Sequence, residues 1–296
     1  MTHYDVGLVP WKPPWPRKLL LRRVRSGVVF AVLAGLSILF VMPLAWMLST
    51  SLKTNAQLFS DPPIWIPNPI AWENYSELVH SVPILFWTRN TLIIVCLGIV
   101  GQLASSSLAA YAFARLDFRG RDVVFVLVLS TMMLPFWVTV VPTYKIFSLL
   151  GWIRTFRPLI VPSFFGGAFY IFLLRQFLLT LPRELDEAAE IDGCSFLGIY
   201  WRILLPLVKP ALATVAVFSF ISDWNDFFRP LIYLSTYDLK NVTLAIGLAT
   251  LSDESGTNQQ LVMAGSVYSI LPILVVFFLA QRHFVQGIAL TGRTGT

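Results

Sequence analysis

The chain is poor in charge. Asp, Glu, Lys and Arg make up 13% of its 296 residues, against roughly 25% in soluble domains. With 56% hydrophobic residues it has too little polar surface to stand in water as an ordinary soluble enzyme, and it belongs in a bilayer. Cysteine is scarce, at two residues. Cys96 lies in an apolar run and Cys194 in an acidic loop, so no disulfide is expected. His3, His80 and His283 are isolated, and no pair of them has metal-ligand spacing. The chain has no Gly-Lys dipeptide, which excludes a Walker A loop for ATP phosphates. Ser105, Ser106 and Ser107 have no histidine base nearby in the chain and read as helix-packing serines rather than nucleophiles. Carboxylates are nearly missing from the apolar spans, against the ionisable relay of a proton-coupled carrier. The formal charge of +6 could suggest nucleic acid, but the basic residues lie in loops beside apolar runs, as in membrane proteins. No catalytic residue, metal site or nucleic-acid partner is expected.

What is present is a series of apolar runs at about 28–48, 91–114, 123–141, 159–179, 203–220 and 261–280. Each is near the ~20 residues that cross a bilayer as helix. The expected fold is all-α and polytopic, with about six transmembrane helices over residues 27–296. Residues 1–26 precede it as a tail in which Pro10, Pro13, Pro14 and Pro16 alternate with Trp11, Trp15 and a basic cluster suited to lipid headgroups. In the second run Gly101, Ser105 and Ala109 recur every four residues, the spacing that lets membrane helices pack closely. About twice as many Lys and Arg fall on one side of this topology as on the other, which places both termini in the cytoplasm. The loop carrying Lys145, Arg154 and Arg157 dissents from that rule. Residues 49–83 and 236–260 read as polar external segments.

Between the fourth and fifth runs lies LPRELDEAAEIDGCSFLGIYWRILLP, residues 181–206. Pro182 followed by Glu184, Asp186 and Glu187 suits a helix N-terminus. Leu185, Ala188 and Ala189 give that helix one face of mostly small apolar residues. Gly193 is placed to cap it with φ > 0, and Ser195 to begin a second helix. There Phe196, Ile199, Tyr200 and Ile203 share a face expected to point back at the membrane domain.

Glu187-Ala188-Ala189, Gly193, Ile203 and Leu205-Pro206 stand at the spacing of the EAA loop, and the stretch resembles that loop in permease subunits of ATP-binding-cassette (ABC) importers. Two further stretches, Trp224-Asn225-Asp226-Phe227-Phe228 with Pro230-Leu231, and Gln281 to Gly287, are similar to the smaller permease of the maltose-transporter type. The proline- and tryptophan-rich tail does not match that pattern.

The resemblance implies a type I ABC importer permease in a prokaryotic inner membrane that moves a sugar or oligosaccharide by alternating access. Glu187, Ala188, Ala189, Asp192, Gly193, Ile203, Leu205 and Pro206 would then form coupling helices seated on an ATPase subunit. Gln286 and Gly287 would reach the ATPases through the C-terminal tail. The implied partners are a second permease, two ATPase chains that bind ATP and Mg, and an extracytoplasmic solute-binding protein touching residues 238–260. This chain itself would hold no cofactor. Trp224, Asn225 and Asp226 are candidates for the substrate pathway, because polar groups at membrane depth line cavities or pair with something. The alternatives are a relative carrying a polyamine, a glycerol phosphate ester or an amino acid, and, from another class, an ATP-independent carrier.

Overall fold

The computed structural model describes residues 17–234, 238–254 and 259–291, side chains excepted at 17–20, 252–254 and 282–291. It is helical throughout the described residues, with no strand. The long apolar helix α1 (Arg17–Ser51) begins nine residues before the expected end of the tail, so Arg22, Arg23 and Arg25 sit on helix rather than on a flexible segment. The prolines and tryptophans at 10–16 lie outside the described residues.

The segment expected as an external loop after α1 is ordered. Asn74 opens the helix α2 (Glu73–Ser81) and donates to the carbonyls of Ser51 and Lys53, both at 2.9 Å. The Lys53 ammonium lies 3.8 Å from the centre of the Trp46 ring, and burial lowers its pKa below that of an ordinary lysine.

The bundle is built around α3 (Ile84–Arg115). This helix packs against α6 (Ala168–Leu179), α9 (Lys209–Trp224) and the short segment Val161–Phe165. The small-residue stripe does what its spacing suggests. A Cβ built on Gly101 would stand 2.6 Å from the Phe164 ring, and Ser105 Oγ donates to Ser163 O at 3.1 Å. The long helix α12 (Gln259–Thr291) packs on α1 and α9.

Among the described residues four helical segments are long and apolar enough to span, and the count rises to six if two bent pairs each form one span. The third expected run is one of these pairs, α4 (Arg121–Ser130) with its short extension, then α5 (Phe136–Leu149), turned by 101°. Leu134, directly before Pro135, has φ −80° and ψ 113°; the proline ring pushes its predecessor out of the helical region, and the axis turns there. The fifth run is the other pair, bent by 77° between Leu207 and Lys209. A π segment at Tyr200–Leu204 precedes the bend, and Pro206 and Pro210 each remove a backbone donor around it. The fourth run is interrupted at Gly166, whose φ is +80°. The freed amide of Gly167 donates to Ser106 Oγ at 3.3 Å, the kind of side-chain repair a broken membrane helix needs.

Two apolar layers brace the bundle along α3. One joins Tyr111, Phe113 and Ala114 to α6, to the loop after it and to α9. The other joins Ile84, Trp87 and Val95 to Trp224 and to α11 (Leu244–Glu254) and α12. The polar segment expected over 236–260 is therefore largely helix and partly core: Val242, Leu244 and Ile246 are buried, and Trp87 packs on Gly247.

The tight α3 contact is testable by substitution. Gly101→Val drives a branched side chain into the Phe164 ring and is expected to cost about 1–3 kcal/mol. Gly35→Val, on α1 with open space around it, is expected to leave stability unchanged in detergent unfolding.

Candidate functional site

Two sites stand on α3, one at its end and one near its middle. The end site is the jointed loop after α6. Helix α7 (Glu184–Ile191) opens with Glu184, Asp186 and Glu187 in its first turn, where acids complement the helix dipole. It closes at Gly193, whose φ of +79° requires a residue without a Cβ penalty. Ser195 then caps α8 (Phe196–Ile199), its Oγ accepting from the Gly198 amide. The sequence reading of two short helices broken at a glycine is what the structure contains. One detail differs: Ile199 and Tyr200 are buried and Ile203 is half-buried, but Phe196 is 60% exposed, because α8 has little more than one turn and packs only its last residues.

A polar stripe on α3 holds this loop. Ser107, Tyr111 and Arg115 recur every four residues, and each reaches it or its base. Ser107 shares a hydrogen bond with the Tyr200 hydroxyl at 2.6 Å. Tyr111 Oη donates to Phe196 O at 3.0 Å. Arg115 Nη2 donates to the carbonyls of Leu178 and Leu181, both at 2.9 Å, while Nη1 pairs with Asp186 Oδ2 at 3.2 Å. Burial raises the Asp186 pKa, and Arg115 opposes that shift. Sequence reasoning read Ser107 as a helix-packing serine but missed Tyr111 and Arg115 as anchors of the loop; the signal was the four-residue spacing of the three, since polar groups in a membrane helix serve as glue to a neighbour.

Among the described residues the outer side of the loop is uncovered. Ala189 is buried, but Glu187, Ala188, Asp192 and Gly193 are exposed. Ile191 is 87% exposed, with Phe196, Leu197 and Trp201 also uncovered. Ile203 and Leu205 instead join the inner apolar layer, and Pro206 is exposed beside the bend.

The second site is a polar cavity of about 240 Å³ lined by Gln102, Ser163, Tyr170, Ser219, Ser222, Asp223, Asp226 and Arg229. It draws on α3, α6, α9 and the start of α10 (Phe228–Tyr233). Arg229 bridges two carboxylates, through Nη2 to Asp223 Oδ1 at 2.8 Å and through Nε to Asp226 Oδ2 at 2.5 Å. Of the three candidates read from sequence, only Asp226 lines the cavity. Trp224 is buried in the apolar layer, and its indole N–H donates to Ser269 O at 3.0 Å. Asn225 is exposed and donates to Ile221 O on its own helix. Neighbours in sequence around a helix end point in different directions, and only the fold tells which faces inward. Of the tail candidates Gln286 and Gly287 only the helical backbone is described.

An apolar bundle that holds a polar cavity and carries a jointed acidic helix at one end fits a membrane transport subunit. Comparison with known proteins agrees. Residues 102–290 match the family described as "Binding-protein-dependent transport system inner membrane component". The chain is 35% identical over 268 residues to the arabinooligosaccharides transport system permease protein AraQ of Bacillus subtilis (strain 168), covering 88% of this chain and 92% of that one. It is 34% identical to the sn-glycerol-3-phosphate transport system permease protein UgpE of Yersinia pestis bv. Antiqua (strain Antiqua), covering 88% and 94%. Among solved structures, a bacterial ABC transporter involved in import of the acidic polysaccharide alginate matches with a TM-score of 0.78 and 26% identity, over 92% of this chain and all of that one. The chain belongs to the family of binding-protein-dependent transport system inner membrane components.

The Arg115 clamp gives an asymmetric expectation. Arg115→Met leaves a buried carboxylate without its cation and two carbonyls without a donor, at a cost of about 3–5 kcal/mol. Asp186→Asn leaves Arg115 bonded to both carbonyls and costs about 1 kcal/mol. Because the folded state holds the Asp186 proton more tightly than the unfolded chain, that carboxyl's contribution is fully present below the ordinary carboxylate range. It is lost as pH rises through the raised pKa. The wild type is therefore expected to compare best with Asp186→Asn at acid pH, as read by detergent unfolding across pH.

Proposed function

We propose that this chain is one of two permease subunits of an ABC importer for a sugar or oligosaccharide, driven by ATP hydrolysed on partner chains. The observation that carries the reading is the uncovered face of the loop. A stiff, glycine-jointed helix with exposed Glu184, Glu187 and Glu190 beside exposed Ile191, Phe196 and Leu197 is a docking ridge without its groove. In an importer that groove belongs to an ATPase subunit, which binds ATP and Mg, whereas this chain supplies no cofactor. Glu187, Ala188, Ala189, Asp192 and Gly193 form the contact segment, and Ile203, Leu205 and Pro206 root it in the fifth span.

Both termini then lie in the cytoplasm, with Gln286 and Gly287 reaching toward the ATPases. The opposite end, around 238–260, faces a solute-binding protein, and a second permease completes the pathway. Closure of the ATPases on ATP moves the loop, and the loop turns the bundle between inward-open and outward-open states. The arabinooligosaccharide relative and the polysaccharide importer support a carbohydrate as the solute.

The test is uncoupling. Gly193→Val forces a β-branched residue into left-handed backbone, and Glu187→Lys reverses charge on the exposed ridge. Each is expected to lower ATP-dependent uptake at least tenfold in proteoliposomes while the subunit still inserts and the assembled ATPases still hydrolyse ATP. Wild-type uptake in either variant contradicts the reading, as does failure of the purified chain to bring an ATPase with it.

A further inference from the structure

Relatives of this chain are named for a neutral oligosaccharide, a phosphate ester and an acidic polysaccharide, so kinship leaves the charge of its solute open. The polar cavity settles on one. We infer that it is a solute-contact site of this subunit and that it takes an uncharged, hydroxyl-rich unit in preference to an anion or a cation. The inference rests on the transport reading above.

The first ground is which groups are free. Gln102 Oε1, Ser163 Oγ, Tyr170 Oη and Ser222 Oγ all border the cavity, and none has a hydrogen-bond partner in the protein among the described residues. Gln102 is 7% exposed and uses only its amide nitrogen, on Ser106. Ser163 and Tyr170 are half-buried and Ser222 is exposed; for the three less open groups, lacking a partner is costly unless something polar meets them. All four are neutral, and together they offer both donors and acceptors, which is what a sugar hydroxyl needs.

The second ground is charge. Among the described residues Arg229 is the sole cation lining the cavity, and its Nε and Nη2 are each bonded to a carboxylate, so its charge is more than offset where it stands. Two carboxylates and one guanidinium leave a net charge of −1, and a phosphate ester or uronate entering there meets repulsion strengthened by the low surrounding dielectric. A cation fares little better, because each carboxylate is already bonded to Arg229 and offers only its remaining lone pairs. The third ground is size. At about 240 Å³ the cavity falls below the roughly 300–1,000 Å³ of complete small-molecule sites, as suits part of a chain whose remainder another subunit holds.

The experiment uses the assembled importer in proteoliposomes with its binding protein and ATP. Uptake by the unmodified importer is measured for arabinotriose, maltotriose, trigalacturonate, sn-glycerol 3-phosphate and spermidine. In parallel, Ser222→Cys is alkylated with N-ethylmaleimide, and modification at residue 222 is followed by peptide mass spectrometry. A neutral trisaccharide is expected to be taken up and to slow alkylation at least fivefold, with no protection by the charged solutes. Adding Tyr170→Phe, which removes one hydroxyl, is expected to raise the sugar concentration for half-maximal protection about fivefold. Uptake of a neutral trisaccharide without protection overturns the site and leaves the sugar importer standing. Protection by trigalacturonate, sn-glycerol 3-phosphate or spermidine overturns the charge preference. Uptake of none of the five solutes overturns the carbohydrate reading and this inference with it.

Discussion

One guanidinium decides how the moving part is joined to the rest. Arg115 is the last residue of α3, and it bonds at once to the carbonyls that end α6 and to the carboxylate in the first turn of α7. A cation at the C-terminal ends of two helices also meets their dipoles. An apolar contact of equal area could hold the pieces as tightly, since a buried ion pair often stabilises no more than packed hydrocarbon. It could not set their relative angle, because dispersion contacts slide. A planar fork bonded to three fixed oxygens does set it.

From that joint, α3 runs as an unbroken helix past the cavity. Thirteen residues separate Arg115 from Gln102, a rise of about 20 Å at 1.5 Å per residue. The stripe of Gly101 and Ser105 locks this helix to the fourth span at the same level, so the rod and that wall of the cavity move together. The opposite wall, α9, lies beyond the break at Val208 and the π segment. The bundle is thus stiff on one side of its polar cavity and jointed on the other. On the proposed reading a displacement of the loop would be delivered as relative movement of the cavity walls, because close-packed interfaces transmit strain rather than absorb it.

What could be read from the sequence was what is local. Gly193 and Ser195 announce a cap and a start within a few residues, and the four-residue stripe on α3 is a property of one helix. The six apolar runs were legible too, since length and composition carry that signal. Direction was not. Hydropathy over 123–141 and 203–220 is the same whether the axis is straight or turned by 101° or 77°, and Pro135, Pro206 and Pro210 marked the places without stating the angle. Partnership across the chain was hidden as well: Asp186 stands 71 positions from Arg115, and nothing near either residue names the other. The same limit put Trp224 and Asn225 in the pathway, where the fold turned one into the core and the other outward.

Two of the ion clusters among the described residues invite comparison, because one is closed and the other borders the polar cavity. Arg115 and Asp186 are one cation and one anion, with side chains 4% and 16% exposed, sealed inside the apolar layer at the end of α3. Such a pair is neutral and closed, and its geometry serves the joint. Arg229 with Asp223 and Asp226 is unbalanced by one charge and opens onto a cavity where Gln102 Oε1 and the hydroxyls of Ser163, Tyr170 and Ser222 lack partners among the described residues. A protein that needed only to tie α9 to α10 could have done so with one carboxylate, at less desolvation cost. The second carboxylate engages the guanidinium at Nε while the first engages it at Nη2, so the cation is outweighed in the cavity wall. The groups left uncommitted there are hydroxyls and an amide oxygen, which other hydroxyl groups can complete.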